Sequence, residues 1–191
     1  MMLELDNIKK TFHPGTVNEK KALSGVTLKV DKGDFVTIIG SNGAGKSTLF
    51  NAICGSFPID SGKITLDGKD ITTMPDYKRA LDVGRLFQDP MKGTAPNMTI
   101  EENLSLAYCR KAQKSFFAVN KRDSDYFRGL LSQLGLGLED RMKTKIGLLS
   151  GGQRPAVSLL MSTISDPKLL LLDEHTAALD PATATKVLDI T

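Results

Sequence analysis

Three short segments of the sequence combine glycines, hydroxyls, a lysine and carboxylates at spacings that suit the chemistry of nucleoside triphosphates. The first follows an apolar run, precedes a predicted helix, and consists of Gly40, Ser41, Asn42, Gly43, Ala44, Gly45, Lys46, Ser47 and Thr48. Its glycines let backbone N–H groups approach phosphate oxygens, and the start of a helix adds partial positive charge. In such a phosphate-binding loop, Lys46 would contact the outer phosphates and the Ser47 hydroxyl would bind Mg²⁺.

The second segment is the pentapeptide Leu149, Ser150, Gly151, Gly152 and Gln153. It predicts another helix start, with Ser150 as N-cap, and therefore a second anion site. A monomer that binds one nucleotide does not need two such sites. The pentapeptide matches the signature of the ABC ATPases, and the chain resembles that family over essentially its whole length. The resemblance implies a head-to-tail dimer, in which this loop closes on the γ-phosphate of the ATP held by the partner's phosphate-binding loop.

The third segment is an apolar run at 169–172 that is followed by two carboxylates. Asp173 is expected to hold the hydration shell of Mg²⁺, and Glu174 to act as general base or to orient the attacking water. The resemblance adds Gln88, which lies where the family places a glutamine that senses metal and water. A solvated acidic turn and an ordinary loop glutamine are the alternatives. His175 is expected at an interface or in solvent, because the family's switch histidine belongs to a later strand.

Phe12 precedes the phosphate-binding loop at a distance typical of the aromatic residue that stacks on adenine in this family. Stacking uses the π-face of the ring and makes little demand on sequence, so a phenylalanine is competent. The alternative is a plain core position. The resemblance therefore predicts that Phe12 binds the base of ATP.

The periodicity of apolar residues predicts the strands that must position these segments. Alternating patterns predict strands at 3–8 and 26–30, and an Asp-Gly turn predicts a hairpin over 62–71. A further short strand is predicted at 83–87. The continuous apolar, β-branched run at 35–39 predicts a strand buried on both faces, as does the leucine run of the third segment.

Helices are predicted on either side of these strands. One covers 45–54, directly after the phosphate-binding loop, and another opens with a capping box and covers 99–108. A third is predicted over 123–134 from its apolar spacing, and a last one starts at Pro181. Because the region of about 90–150 is helical and has no motif of its own apart from the pentapeptide at its end, it is interpreted as an inserted helical subdomain.

Composition restricts the class of protein. The net charge of +3 is spread over both signs, which argues against nucleic acid as a partner. The sequence has no run of about eighteen apolar residues and no signal peptide, so any link to a membrane is expected to run through partners. Cys54 and Cys109 lack metal-ligand spacing, which favours a reducing, cytoplasmic compartment.

The sequence departs from the family where a later strand is expected. The resemblance implies a strand after the helix from Pro181, placed between the runs at 35–39 and 169–172, but the sequence stops at Thr191. Each buried backbone group without a partner costs about 1–3 kcal/mol, against about 5–15 kcal/mol for a whole domain. We therefore expect residues 1–191 to form a single nucleotide-binding domain, incomplete at its C-terminus, that is marginal or unfolded and hydrolyses ATP poorly.

Pro155 is the second departure, because the family usually has a residue with a free N–H there. With Ser150 as N-cap, Pro155 falls just past the first turn of the helix. It should then lose a bond to the Gly151 carbonyl, at a cost of up to about 3 kcal/mol, and kink the helix behind the pentapeptide.

Together the motifs and elements predict an α/β fold. It consists of a P-loop NTPase core with a mainly parallel sheet, an N-terminal antiparallel β-subdomain and the inserted helical subdomain. The resemblance implies an ATP-hydrolysing, Mg²⁺-dependent motor subunit of an ABC membrane transporter, similar to bacterial importer ATPases of poorly defined, amino-acid-type specificity. The implied partners are a second copy, transmembrane permease subunits docked near Gln88 and the helical subdomain, and an extracytoplasmic solute-binding protein. The implied location is the cytoplasmic face of the cell membrane.

Three alternatives remain open from the sequence. A soluble ABC ATPase of translation, repair or cluster assembly often has tandem domains or special insertions, which are not visible here. An ATP-binding module that has lost turnover would bind ATP without hydrolysing it. A P-loop kinase or GTPase does not account for the signature pentapeptide. Co-purification with an integral-membrane subunit favours the transporter over the first two.

Overall fold

The structure is a computed structural model that describes residues 1–87, 89, 91–110 and 121–173. The chain divides into two compact units, Met1–Val83 and Gly84–Thr191, and each is described by itself. The expectations for Gln88, Glu174 and the helix from Pro181 lie outside the described residues.

The first unit is built on a four-stranded antiparallel sheet in the order β2-β1-β3-β4. Its strands are β1 (Leu3–Phe12), β2 (Lys20–Val30), β3 (Ser61–Leu66) and β4 (Lys69–Asp70). On β1, Leu5 lies opposite Leu28 of β2 and Ile64 of β3. Because side chains alternate between the two faces of a strand, Leu3 and Leu5 reach the buried face together. Ile8 is also buried, after a register shift between Leu5 and Ile8 that includes Asn7 with φ 49°. The antiparallel β-subdomain predicted for the N-terminal part is confirmed.

The turn between β3 and β4 has the chemistry that its sequence predicts. Asp67 and Gly68 both have positive φ angles, 49° and 74°. A two-residue hairpin loop with two left-handed residues matches the right-handed twist of the flanking strands, and an aspartate followed by glycine tolerates it well. The predicted hairpin is therefore confirmed.

Two helices complete the first unit, α1 (Lys46–Cys54) and the short α2 (Asp76–Arg79). The inner face of α1 is buried through Leu49, Ala52 and Ile53. Arg79 is only 3% exposed, and its guanidinium donates 2.9 Å hydrogen bonds to the carbonyls of Ala52 and Ile53 at the end of α1. The last carbonyls of a helix have no partner within the helix, so this arginine satisfies them.

The prediction of a buried strand at 35–39 is wrong for this structure. No strand is assigned there, and Phe35 and Ile39 are 82% and 91% exposed. An apolar run becomes a buried strand only where neighbouring strands supply ladder hydrogen bonds and apolar cover. Among the described residues, no strand pairs with this segment, so the apolar pattern alone does not produce the strand.

The second unit combines helices with a two-stranded sheet. The sheet contains β5 (Val83–Leu86), which begins at the boundary of the units, and β6 (Leu169–Leu172). The helices are α3 (Ile100–Tyr108), α4 (Lys121–Leu134) and α5 (Gln153–Thr163). A 3₁₀ turn, Ile146–Leu148, precedes α5. These elements share one apolar core, whose fully buried members include Ile100, Leu104, Phe127, Leu131, Leu134, Leu138, Ile146 and Val157.

The strand predicted at 169–172 is present, but it is less buried than its composition predicts. Of its four leucines only Leu171 is fully buried. The strand pairs with β5, and the described residues supply no strand on its other side. A leucine run therefore indicates the strand correctly but not the degree of burial of each residue.

The capping box that opens α3 is confirmed. The Glu102 N–H donates to the Thr99 hydroxyl oxygen at 3.2 Å, and the Thr99 N–H donates to the Glu102 carboxylate at 2.7 Å. This reciprocal pair satisfies two donors at the helix start. None of the helices in the described part of the chain has both the length and the apolar character needed to cross a membrane.

Candidate functional site

Only glycine fits the position at which the phosphate-binding loop joins α1. Gly45 is the N-cap of α1 with φ 95°, and a Cβ there would lie 2.7 Å from the Ala22 carbonyl oxygen of β2. No side chain caps this helix start, and its first turn contains no acidic residue. The N–H groups at such a start favour an anion.

Lys46 folds back over the loop that precedes it. Its ammonium donates to the carbonyl oxygens of Gly40 at 2.7 Å and Ser41 at 3.2 Å. The Ala44 N–H donates to the Ser41 carbonyl at 3.1 Å, which closes the loop into a turn. The loop therefore presents a cation, an uncapped helix start and exposed residues from Ser41 to Ala44 at the N-terminal end of α1. These groups fit the phosphates of a nucleoside triphosphate.

Two oxygen-bearing side chains that were predicted to bind Mg²⁺ lie within the described residues. Ser47 is exposed on the first turn of α1 in the first unit, whereas Asp173 follows β6 in the second and is 8% exposed. A hydroxyl and a carboxylate are the hard oxygen donors that Mg²⁺ prefers. The donor chemistry of these residues therefore fits the ion.

Asp173 has a basic neighbour that sequence reasoning missed. The Arg85 guanidinium lies 3.5 Å from the Asp173 carboxylate, and the two side chains are 12% and 11% exposed. The Arg85 guanidinium also lies 4.6 Å from the ring centroid of Phe87. An arginine within the otherwise apolar strand β5 was the available signal, because such a residue needs a partner when it is buried.

The signature pentapeptide precedes α5, but the helix begins later than predicted. The N-cap is Gly152 and not Ser150, and the first helical residue is Gln153. The Ser150 N–H instead donates to the Gln153 side-chain oxygen at 3.3 Å. Gly151 and Gly152 are exposed, and a Cβ on either would meet no atom within 4 Å. The loop thus presents open backbone at the start of a helix.

The first turn of α5 also bears on the expectation for Pro155, which is the third residue of the helix. The Arg154 N–H donates to the Ser150 carbonyl at 3.2 Å, a bond of the helical i→i−4 type that begins before the assigned helix. The next such bond would join residue 155 to the Gly151 carbonyl, and proline has no N–H to form it, so the predicted loss of that bond agrees with the structure. Proline is tolerated in a first turn.

Arg154 fixes the segment that leads into the pentapeptide. Its guanidinium donates to the carbonyls of Gly147 at 2.9 Å and Leu149 at 3.1 Å. These bonds tie the 3₁₀ turn to the first turn of α5. Sequence reasoning did not single out this residue, since a basic residue next to a glycine loop suggests a solvated side chain.

Phe12 lies at the end of β1 in an aromatic pair that was not predicted. Its ring is half-buried and meets the Phe57 ring edge-on, with centroids 5.2 Å apart and an interplanar angle of 82°. The Lys10 ammonium lies 5.6 Å from the Phe12 centroid and 5.5 Å from the Phe57 centroid. The half-buried ring keeps accessible surface beside these contacts.

The structure thus groups the predicted site residues by unit. Phe12 and the loop from Gly40 to Thr48 belong to the first unit, and the pentapeptide with Asp173 belongs to the second. The predicted roles of Gln88 and Glu174 stay predictions, because both residues lie outside the described part of the chain.

Comparison with known proteins identifies the family. The family model for the ABC transporter matches residues 23–177. A tyrosine transport ATP-binding protein of Clostridioides difficile is 44% identical over 191 residues, which is 100% of this chain and 76% of that protein. A phosphonates import ATP-binding protein of Lactococcus lactis is 33% identical and is matched over 98% of this chain and 76% of its own length.

Solved structures agree with the sequence comparison. A dimeric ATP-binding cassette in a post-hydrolysis state, bound to ADP and Pi, has a TM-score of 0.83 and 29% identity, covering 99% of this chain and 81% of its own. The chain belongs to the ABC transporter ATP-binding family, and it has the P-loop NTPase fold of these cassettes. By family it is an ATPase, and ATP is its nucleotide. The predicted family and α/β fold class are therefore confirmed.

Proposed function

We propose that this chain is the ATP-binding and ATP-hydrolysing motor subunit of an ABC membrane transporter of the importer type. The observation that carries the proposal is the start of α1. There Gly45 packs closely against the Ala22 carbonyl of β2, and the Lys46 ammonium donates to the Gly40 carbonyl of an exposed glycine loop. A loop of this geometry binds the phosphates of a nucleotide through backbone N–H groups and one ammonium. The names of the import relatives support the transport role.

Binding of ATP begins with the exchange of one set of Lys46 contacts for another. The ammonium leaves the carbonyl oxygens of Gly40 and Ser41 and contacts the outer phosphates. N–H groups of the loop and of the first turn of α1 bind the phosphate oxygens. Phe12 stacks on the adenine base.

Ser47, Asp173 and Gln88 are the proposed ligands of Mg²⁺ or of its hydration shell. When bound, Mg²⁺ neutralises charge on the phosphate oxygens. The Ser47 hydroxyl supplies one oxygen, the Asp173 carboxylate orients water, and the Gln88 amide contributes a neutral oxygen. The hard-oxygen chemistry of the described pair supports this assignment.

Hydrolysis requires a base and a closed site. Glu174 accepts a proton from the attacking water or orients that water for in-line attack on the γ-phosphate. A second copy supplies its pentapeptide, Ser150 to Gln153, whose exposed glycines and helix start face the same γ-phosphate. Two copies in a head-to-tail arrangement then sandwich two ATP molecules. The solved cassette that is described as dimeric supports the pairing of two copies.

The proposed partners follow from the transport role. Transmembrane permease subunits dock near Gln88 and the helical subdomain and hold the chain on the inner face of the cell membrane. An extracytoplasmic solute-binding protein delivers the solute. The tyrosine and methionine specificities in the names of relatives support an amino-acid-type solute, and nothing in the charge distribution favours nucleic acid.

A second candidate function is ATP binding without turnover. It is supported by the exposed segment at 35–39, which leads directly into the phosphate-binding loop. A loop whose preceding segment is not held in a sheet binds phosphate with less preorganisation, and catalysis depends on preorganisation more than binding does. A soluble ABC ATPase outside transport has no comparable observation in its favour.

The test separates these functions in one set of measurements. We expect Glu174→Gln to retain ATP binding and to reduce hydrolysis at least about 100-fold, as loss of a general base does. Hydrolysis by the wild-type chain at the same low level as the variant, with ATP still bound, would favour the binding-only function. Affinity purification from membranes solubilised in detergent should recover an integral-membrane subunit, and its absence would contradict the transport role.

A further inference from the structure

A compact polar network joins the end of β1 to the segment that follows α1. The Asp60 carboxylate accepts hydrogen bonds from the Lys10 ammonium at 2.9 Å and from the Thr11 N–H at 2.6 Å. The Lys10 ammonium also donates to the Pro58 carbonyl at 2.8 Å. These bonds lower the pKa of Asp60, the Lys10 bond first and the Thr11 bond second. The Asp60 carboxylate therefore stays ionised at neutral pH and fixes the position of the Lys10 side chain.

The Lys10 ammonium also lies near the aromatic rings of Phe12 and Phe57. It lies 5.6 Å from the Phe12 centroid and 5.5 Å from the Phe57 centroid, within the range of cation–π attraction. The Lys10 side chain is only 13% exposed, so the attraction is less screened than on an open surface. Phe57 meets Phe12 edge-on at 5.2 Å, which is a favoured aromatic geometry. Both contacts restrict the rotamer of Phe12.

This cluster lies close to the phosphate-binding loop along β2. Phe12 pairs with Lys20 of β2. Ala22 lies two residues further along the same strand, and its carbonyl oxygen would be 2.7 Å from a Cβ at Gly45. Two residues of a strand correspond to about 7 Å. The helix that starts at the loop also ends at Cys54, three residues before Phe57. One strand and one helix therefore connect the aromatic cluster to the loop.

From this geometry we propose that Lys10, Phe57 and Asp60 are positioning residues that preorganise the Phe12 ring as a stacking surface for the purine base of ATP. We name these four residues the base platform. The inference rests on the proposed ATP site and extends it to residues that do not themselves contact the nucleotide. Phe57 supports one side of the Phe12 ring and Lys10 restrains both rings, so less rotamer freedom is lost when the base stacks.

The cluster could instead stabilise the fold alone, and base dependence separates the two roles. ATP has a base, whereas inorganic tripolyphosphate has the same phosphates without one. A positioning role makes ATP affinity fall while tripolyphosphate affinity stays unchanged. A purely structural role changes both affinities by the same factor.

The experiment is calorimetric titration of the full chain with Mg·ATP and with Mg·tripolyphosphate. We expect Phe57→Leu to weaken ATP binding about three- to tenfold and tripolyphosphate binding less than twofold. Phe57→Tyr keeps the ring and should restore near wild-type affinity for ATP. Lys10→Met, which keeps the stem but not the charge, is the second variant, and we expect the same selective loss. In a Phe12→Leu background, Phe57→Leu should have no further effect on ATP binding, because the coupling runs through Phe12.

Each other outcome contradicts the inference. Equal losses for ATP and tripolyphosphate would assign the cluster to the fold, and unchanged ATP affinity in both Phe57→Leu and Lys10→Met would show that Phe12 needs no support. If the wild-type chain binds tripolyphosphate as tightly as ATP, the result would contradict the base platform but would still support the phosphate site. A wild-type chain that binds neither ligand would overturn the proposed function itself, and this inference with it.

Discussion

The Arg85 guanidinium lies 3.5 Å from the Asp173 carboxylate, and both side chains are nearly buried. The pair joins β5 to the residue that follows β6, next to a backbone bond of 3.3 Å from the Asp173 N–H to the Leu86 carbonyl. A buried ion pair adds little net stability over an apolar pair, but loss of one partner leaves a charge that is costly to bury. The arginine therefore controls the position of the carboxylate that is proposed for Mg²⁺.

Replacing this arginine should destabilise the chain. We expect Arg85→Met to lower the free energy of unfolding by about 3 kcal/mol, since the Asp173 carboxylate loses its buried cation. Urea denaturation followed by circular dichroism measures the change. Arg128→Met is the matched control, because the Arg128–Asp140 pair is 54% and 83% exposed and such pairs contribute at most about 1 kcal/mol. Equal losses in the two variants would show that the Arg85 pair has no special role.

Arg79 should be among the most sensitive residues of the first unit. Its guanidinium also bonds the Met74 carbonyl at 2.8 Å and the Thr72 carbonyl at 3.0 Å, in addition to the two carbonyls at the end of α1. Arg79→Met removes the guanidinium donor from all four carbonyls, although Ala52 keeps the Gly55 N–H, and an acceptor that is left buried without a donor costs about 1–3 kcal/mol. We expect a loss of at least about 3 kcal/mol in urea denaturation. The exposed Arg122 is the control, and Arg122→Met should change stability by less than about 0.5 kcal/mol.

The Gly55 position tests the same contact from the other side. Gly55 has φ 79°, and a Cβ there would lie 2.8 Å from the Arg79 guanidinium. We expect Gly55→Ala to destabilise the chain by more than the cost of a left-handed alanine alone, which is about 1–2 kcal/mol. Gly137→Ala, with φ 65° and no atom within 4 Å of a Cβ, measures that cost by itself. A similar urea midpoint for the two variants would count against the tight packing of Arg79.

The loss of folding stability at acid pH should depend on the Glu101 carboxylate. Burial raises the pKa of the Glu101 carboxyl, but hydrogen bonds from Lys143 and Ser124 outweigh burial and hold the pKa below its usual value. Because the folded-state pKa is below the unfolded one, this carboxylate stabilises the fold above its unfolded pKa, and that stabilisation is lost as pH falls through the folded pKa.

Thermal melts across pH measure this contribution. Glu101→Gln should lower the Tm at pH 7, and the difference from wild type should shrink as the pH falls through the folded-state pKa of Glu101. Lys143→Met removes the main hydrogen-bond partner of Glu101 while the carboxyl stays buried. The pKa of Glu101 should therefore rise, and the Tm should begin to fall at a higher pH. A Tm difference between Glu101→Gln and wild type that stays constant from pH 7 through the whole acid transition would contradict the assignment.

Much of this fold follows from local sequence signals. The Asp67-Gly68 turn and the Thr99–Glu102 capping box form as predicted, because each depends on residues that are neighbours in sequence. The glycine loop before Lys46 is likewise a local motif. The strands of the antiparallel sheet follow from alternation, which has a fixed period of two.

The errors concern properties that depend on distant residues. The segment at 35–39 has strand composition, but a strand also requires a partner that a local pattern does not specify. The start of α5 was placed at Ser150 because serine is a common N-cap, whereas the structure starts the helix after Gly152. Arg85 and Phe57 were missed because their partners, Asp173 and Phe12, are far away in sequence.

The measurement that tests the central claim most directly is calorimetric titration of the full chain with Mg·ATP, for wild type and for Lys46→Ala. We predict saturable binding with one ATP per chain for wild type and an affinity at least about tenfold lower for the variant, since a charge-assisted contact to phosphate is worth about 1.5–3 kcal/mol. Lys32→Ala, which removes an exposed lysine of the same unit, should bind like wild type. Wild-type binding that Lys46→Ala leaves unchanged, or the absence of binding, would contradict an ATP site at this loop.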